Sequence, residues 1–188
     1  MKQKIDAYAR ANLEYLAARF TPYWGEMEAC GEEVVFANPP PPLRRVKILC
    51  KKKKSLLGGL YSLQIIGEID KEGLVRNKTP IRLYYRGLVS KGKAFFKHQE
   101  DINSDLIKHL NNDVNLINIL SLLDLETGEI WLADDKYIIV MSPISGSFMY
   151  MVFPPLRYSG SLPEEEIRQL NTSLFRTSEL LQSRSQAV

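Results

Sequence analysis

RRVKILCKKKKSLLGGLYSLQIIGEIDKEG, residues 44–73, is the stretch on which the fold class turns. Val46, Ile48 and Cys50 alternate with Lys47 and Lys51, although Leu49 interrupts the pattern. Leu63, Ile65, Gly67 and Ile69 form a second alternating run, and period two is that of a strand with one buried face. Ser55 to Gly59 between them reads as a hairpin tip, and Asp70-Lys71-Glu72-Gly73 as a turn. So short a connection joins antiparallel neighbours, because a parallel crossover needs a dozen residues or more.

Outward from this hairpin the periodicity changes. Ile5, Ala9, Leu13, Leu16 and Phe20 make one apolar stripe, which predicts an amphipathic helix over about Gln3–Phe20, closed by Thr21-Pro22. Val34-Val35-Phe36 reads as an edge strand, and Pro39 to Pro42 as an extended polyproline spacer. Downstream, Ile81, Leu83 and Tyr85 alternate, and Ala94 to Lys97 is a further short strand. Leu106, Leu110, Val114, Ile117 and Leu120 predict a helix over about Asp105–Leu123, which Asn111-Asn112-Asp113 can split. A meander follows, with runs at Leu122–Glu126, Glu129–Ala133, Tyr137–Ser142 and Phe148–Phe153, the first two separated by a turn at Thr127-Gly128. Ser161 and Glu164 have capping-box spacing and introduce a last helix with the stripe Ile167, Leu170, Leu174 and Leu181.

The predicted class is therefore α+β, an antiparallel sheet with flanking helices in the order helix, strands, helix, strands, helix. Residues 1–43 are read as an N-terminal helix and Pro-rich spacer packed on a main domain of residues 44–188. In element order alone the chain resembles the fold of the type III secretion chaperones, which run helix, three strands, helix, two or three strands, helix.

Charge is the strongest functional signal. Arg44 to Lys97 holds 15 of the chain's 25 Lys and Arg against three acids, so it carries +12 within a molecule whose total is +3. Such a field attracts polyanions and also permits head-to-tail self-association into a homo-oligomer. The candidate anion-binding residues are Arg44, Arg45, Lys47, Lys51, Lys52, Lys53, Lys54, Arg82, Tyr84, Arg86, Lys93 and Lys97. Leu56 and Leu57 form an apolar tip beside Lys51–Lys54, where a lipid surface or a nucleic acid are both readings. Arg82-x-Tyr84-x-Arg86 and Lys93-x-Phe95-x-Lys97 place cations around aromatics on one strand face, a pattern suited to stackable bases.

Chemistry is poorly represented. His98 and His109, with Asp101 and Asp105 nearby, match no zinc spacing. Cys30 and Cys50 make neither a CxxC pair nor a disulfide framework and are expected to be reduced, buried small hydrophobes. Asp124, Glu126, Glu129, Asp134 and Asp135 bracket turns, where Asp is common for backbone reasons. Pro143–Ser147 is not a nucleophile elbow, and Gly58-Gly59 follows its lysines rather than preceding one as a phosphate loop does. No metal or cofactor is expected. No secretory h-region and no apolar run long enough to span a bilayer are found, which fits a cytoplasmic protein.

The expectation is a non-catalytic binding or adaptor module that presents residues 44–97 to an anionic macromolecule, nucleic acid ahead of an acidic protein surface. One alternative is a protein-interaction or chaperone-like module using its sheet face and the methionine-rich strand, with Met149 and Met151 on one face and Met141 in the same soft apolar region. Another is peripheral attachment to an anionic membrane through the tip at residues 51–60.

Overall fold

The computed structural model describes residues 2–55, 58–71, 79–86, 92–98, 104–133, 135–153 and 156–185. Helix α1 (Lys2–Ala18) and the single turn α2 (Thr21–Trp24) lead into β1 (Met27–Cys30), β2 (Glu33–Phe36), β3 (Arg45–Ser55), β4 (Gly58–Asp70), β5 (Ile81–Tyr85) and β6 (Ala94–Lys97). Then come α3 (Ser104–Asn112), α4 (Val114–Leu122), β7 (Leu125–Leu132), β8 (Lys136–Pro143), β9 (Phe148–Met151), β10 (Leu156–Ser159) and α5 (Glu164–Ser185). The strands form one sheet in the order β1-β2-β3-β4-β8-β7-β5-β6, with β9 on β4 beyond the end of β8 and β10 outside β9. Every pairing is antiparallel. The class is α+β, an antiparallel sheet with flanking helices, as the alternating runs require. No helix among the described residues is long and apolar enough to cross a membrane.

Alternation sorts the side chains onto two unlike faces. Val46, Ile48, Leu63, Ile65, Ile69, Ile81, Phe96, Ile130, Ile139 and Met141 are buried against the helices. The predicted stripes of α1 and α5 supply the opposing layer, and all nine of their residues are buried. Each such aliphatic side chain contributes roughly 1.5–3 kcal/mol relative to exposure. At Gly67 the covering layer packs tightly, since an added Cβ would meet Leu174 of α5 at 2.8 Å and Leu43 at 3.1 Å. The other face carries Lys47, Leu49, Lys51 and Lys53 of β3, Ile66 and Glu68 of β4, Val140 of β8, Glu129 of β7, Arg82 of β5 and Lys97 of β6 in register. Among the described residues, helix contacts reach the first face through residues such as Leu174 over Gly67 and Ser173 beside Met141.

Several local expectations are corrected. Val34–Phe36 is not an edge strand, because β1 pairs outside it through Met27↔Phe36. Pro39–Pro42 bends instead of extending, with a turn at a cis Pro41-Pro42 peptide. Thr21-Pro22 opens α2 with proline in its first turn rather than simply ending α1. Thr127-Gly128 lies inside β7 at a register irregularity, since the strand bulges there instead of turning back. Val114 is exposed because the break at Asp113 rotates α4 relative to α3. Helix α5 begins at Glu164, so Ser161 and Glu164 do not occupy the capping-box positions.

Candidate functional site

The hairpin β3–β4 divides the lysine run by pleat. Lys51 and Lys53 sit on the helix-free face opposite Ser62 and Leu60, whereas Lys52 sits opposite Tyr61 on the helix side. Lys53 pairs with Glu126 of β7, and that ammonium is the main reason the Glu126 carboxyl is held below the ordinary carboxylate range. Lys52 lies 2.6 Å from Asp6 of α1 and 4.7 Å from the centre of the Tyr61 ring. The ammonium groups of Lys51, Lys52 and Lys53 therefore do not share one face as the sequence suggests. The side chain of Lys54 and both Leu56 and Leu57 lie outside the described residues.

Acidic residues from distant segments fold onto much of the remaining basic block. Arg44 is 2.9 Å from Asp70, and Arg82 is 3.2 Å from Glu129. Lys47 lies between Glu33 at 3.7 Å and Glu68 at 4.0 Å, and Lys136 reaches Glu68 at 3.1 Å. Arg45 stands opposite Glu68 in the strand register. Partly exposed pairs of this kind contribute about 0–1 kcal/mol each, so their main consequence is local neutralisation of the field.

Apart from Arg82, the β5–β6 ladder keeps its charge. Tyr84 and Phe95 are directly opposed, with ring centres 5.7 Å apart and planes inclined by 27°. The Arg86 guanidinium lies 5.1 Å from the centre of the Phe95 ring. Tyr84 is 38% exposed, and Lys93 and Lys97 are exposed with no ion pair among the described residues. The outer backbone edge of β6 is closed by side chains. Phe96 N donates to Asn111 Oδ1 at 2.7 Å, Asn111 Nδ2 donates to Phe96 O at 2.9 Å, and Ala94 N donates to Ser121 Oγ at 2.8 Å. Asn111 thus stands in for a further strand, and what the ladder offers a partner is its face.

A second exposed feature lies at the other end of β4. The register Gly58↔Met151 sets the β9–β10 turn beside the end of the β3–β4 hairpin. Phe153 is 78% exposed there, with Val152, Leu156 and Tyr158 also exposed. Met149 is 40% exposed and Met151 is half-buried, both on the face opposite Phe148 and Tyr150. This concentration was hidden in the sequence because β10 has both faces in solvent and lacks an alternating pattern. Met141 belongs to the core instead.

The residues considered for chemistry are dispersed. His98 is buried, with Nε2 at 3.0 Å from both Thr79 Oγ1 and Thr79 O, while His109 is exposed on α3. No group of three or more metal-binding side chains occurs among the described residues. Glu129 accepts from Arg82 and from Trp131 Nε1, Glu126 serves Lys53, and Asp134 lies outside the described residues. Cys50 is half-buried, but Cys30 is exposed, contrary to expectation, because β1 is a short edge strand with all its residues in solvent. Both thiols are free.

Residues 19–181 match the family described as "Protein of unknown function (DUF3156)", and the chain belongs to that family. No curated protein and no solved structure matches it.

Proposed function

We propose that this family member is a binding module whose helix-free sheet face takes an anionic macromolecule, with single-stranded nucleic acid as the favoured partner. The observation that carries this reading is the Tyr84–Phe95 ring pair, flanked by Arg86, Lys93 and Lys97. Aromatic faces accept any base by stacking, and adjacent cations take the phosphates. The part of the basic block from Arg44 to Lys53, largely paired with acids, contributes less to the partner than the β5–β6 ladder does. The test is a fluorescence-anisotropy titration of labelled single-stranded oligonucleotides at low and physiological salt. Affinity should fall linearly with salt on logarithmic axes, and Phe95→Ala should weaken binding about 5- to 150-fold, the range of one lost base stack. Absence of binding at low salt, or indifference to both Phe95→Ala and Tyr84→Ala, overturns the reading.

One further observation favours a second partner, an anionic membrane. The adjacent hairpin ends set exposed Phe153 and Leu156 on the same end of β4 as Lys51 and Lys53. Shallowly inserted apolar groups beside cations suit an anionic lipid surface. Under this reading, vesicles containing phosphatidylserine sediment the protein, neutral vesicles do not, and Phe153→Ser with Leu156→Ser abolishes the effect. Equal retention of the doubly substituted protein rejects it.

A further inference from the structure

The chain's two tryptophans have opposite surroundings. Trp24 is fully buried, stacked on Phe20 and edge-on to Phe36. Trp131 is half-buried on the helix-free face, where it opposes Ile138 of β8 in the strand register. Packing on Ile138 is the ordinary use of such a side chain. Two further observations give it another.

The first is its fixed orientation. Trp131 Nε1 donates to Glu129 Oε2 at 3.1 Å, and Oε1 of the same carboxylate accepts from Arg82 Nε at 3.2 Å. The indole is thereby tied to the ladder through one bridging group, and a ring held before binding loses little freedom when it is covered. The same bonds offset the Glu129 charge with that of Arg82. Glu68, which opposes Ile138 from β4, is likewise taken by Lys136 at 3.1 Å and Lys47 at 4.0 Å. These are the acids of the register row that holds Trp131 and of the next row toward the ladder.

The second is its spacing from the ladder. The pairs Ile81↔Ile130 and Arg82↔Glu129 align β5 with β7. Trp131 then stands two residues to one side of the Arg82–Glu129 pair and Tyr84 two residues to the other, roughly 13 Å apart along the strands at about 3.3 Å per residue. One base cannot cover both rings at that separation, but successive parts of one strand can. The line between the rings follows β5 and β7, away from the paired cations of β3.

We propose, on the premise that the β5–β6 ladder binds single-stranded nucleic acid, that Trp131 is a second stacking platform for the same strand, which therefore lies along β5 and β7 instead of crossing toward β3. Stacking on an aromatic face tolerates any base, so this platform adds affinity without sequence preference.

The experiment titrates the full chain at low salt with an oligothymidylate of about ten nucleotides, within the usual range of site sizes. Anisotropy of a terminal label reads affinity, and tryptophan emission is followed with the unlabelled strand. Binding should quench the emission of the parent, whereas Trp131→Phe, whose remaining indole is buried Trp24, should show no quenching. Trp131→Leu keeps an apolar side chain beside Ile138 but offers no ring, and should weaken binding about 5- to 150-fold. Trp131→Phe keeps a ring and should bind more tightly than Trp131→Leu. Far-ultraviolet circular dichroism checks the fold of both variants, and the emission of the parent and of Trp131→Phe decides the matter if Trp131→Leu does not fold. Binding that depends on Phe95 but leaves the parent's emission unchanged, or that is as tight in Trp131→Leu, overturns the assignment and leaves the ladder standing. Binding indifferent to Phe95→Ala and Tyr84→Ala, or none at low salt, overturns the ladder reading and this assignment with it.

Discussion

Cys30 and Cys50 occupy opposite environments, and their reactivities should separate accordingly. Desolvation raises the Cys50 thiol to about 11, so at pH 8 only about one molecule in a thousand carries the reactive thiolate there. Cys30 lies exposed on β1. A chromogenic disulfide reagent at pH 8 should titrate one thiol rapidly in the native protein, and the second only after denaturant is added. Two rapid equivalents without denaturant would contradict the burial of Cys50. At this scale the sequence was legible where periodicity alone decides burial, as for Ile48 or Leu63, and Lys52 follows the same row. It was not legible where a partner is remote. Asp6 and Lys52, Lys53 and Glu126, and Arg82 and Glu129 are brought together by strand order and helix docking, which no local pattern specifies.

Between α3 and α4 a single carboxylate does the work of two contacts. Asp113 caps α4 by accepting from Leu116 N at 2.7 Å, and it receives Arg176 of α5 at 2.6 Å and 3.0 Å. The Arg176 hydrogen bond is the leading cause of a carboxyl held below its ordinary value of 3.8. A depressed folded-state value means that the stabilisation is complete above the unfolded value and disappears as pH falls through the folded one. Asp113→Ala should therefore lower stability at pH 7 by about 1–2 kcal/mol in urea unfolding, with the difference from the parent shrinking below about pH 4. A deficit constant down to pH 2 would rule out the ion pair as its source. Packing of α5 on β4 gives a second element-scale test. Gly67→Ala places a methyl against Leu174 and Leu43 and should cost roughly 1–3 kcal/mol by overpacking. An unchanged urea midpoint would show that the helix can retreat freely. Long elements with one buried face were readable from alternation, as the β3–β4 hairpin shows. The strands β1 and β10 were missed because solvent covers both their faces, and β7 was cut in two because Thr127-Gly128 carries turn chemistry inside a bulge.

Across the whole molecule, the uneven charge of the sequence is partly compensated by the fold, because Asp6, Glu33, Glu126 and Glu129 from outside residues 44–97 meet cations within it. The same long-range closure governs cohesion. Residues 1–43 carry Trp24, fully buried between Phe20 and Phe36, and its Nε1 donates at 2.8 Å to Asn171 of α5. Leu13, Phe20 and Phe36 share one continuous core with Ile81, Leu116, Ile139 and Leu181. A core shared by both ends of the chain implies that neither end unfolds alone. The chain's two tryptophans make this measurable, since Trp24 lies in the N-terminal segment and Trp131 in β7. In Trp131→Phe the remaining fluorescence reports on the N-terminal segment, and in Trp24→Tyr it reports on the far side of the sheet. The Trp131→Phe emission should follow the same urea curve as its own far-ultraviolet circular dichroism. The Trp24→Tyr emission should likewise coincide with its circular dichroism, at whatever lower midpoint the loss of the buried indole imposes. An earlier fluorescence transition in Trp131→Phe, with the circular dichroism largely retained, would mean that residues 1–43 form a separable appendage. The shared core would then be a docking interface rather than the basis of a single cooperative unit.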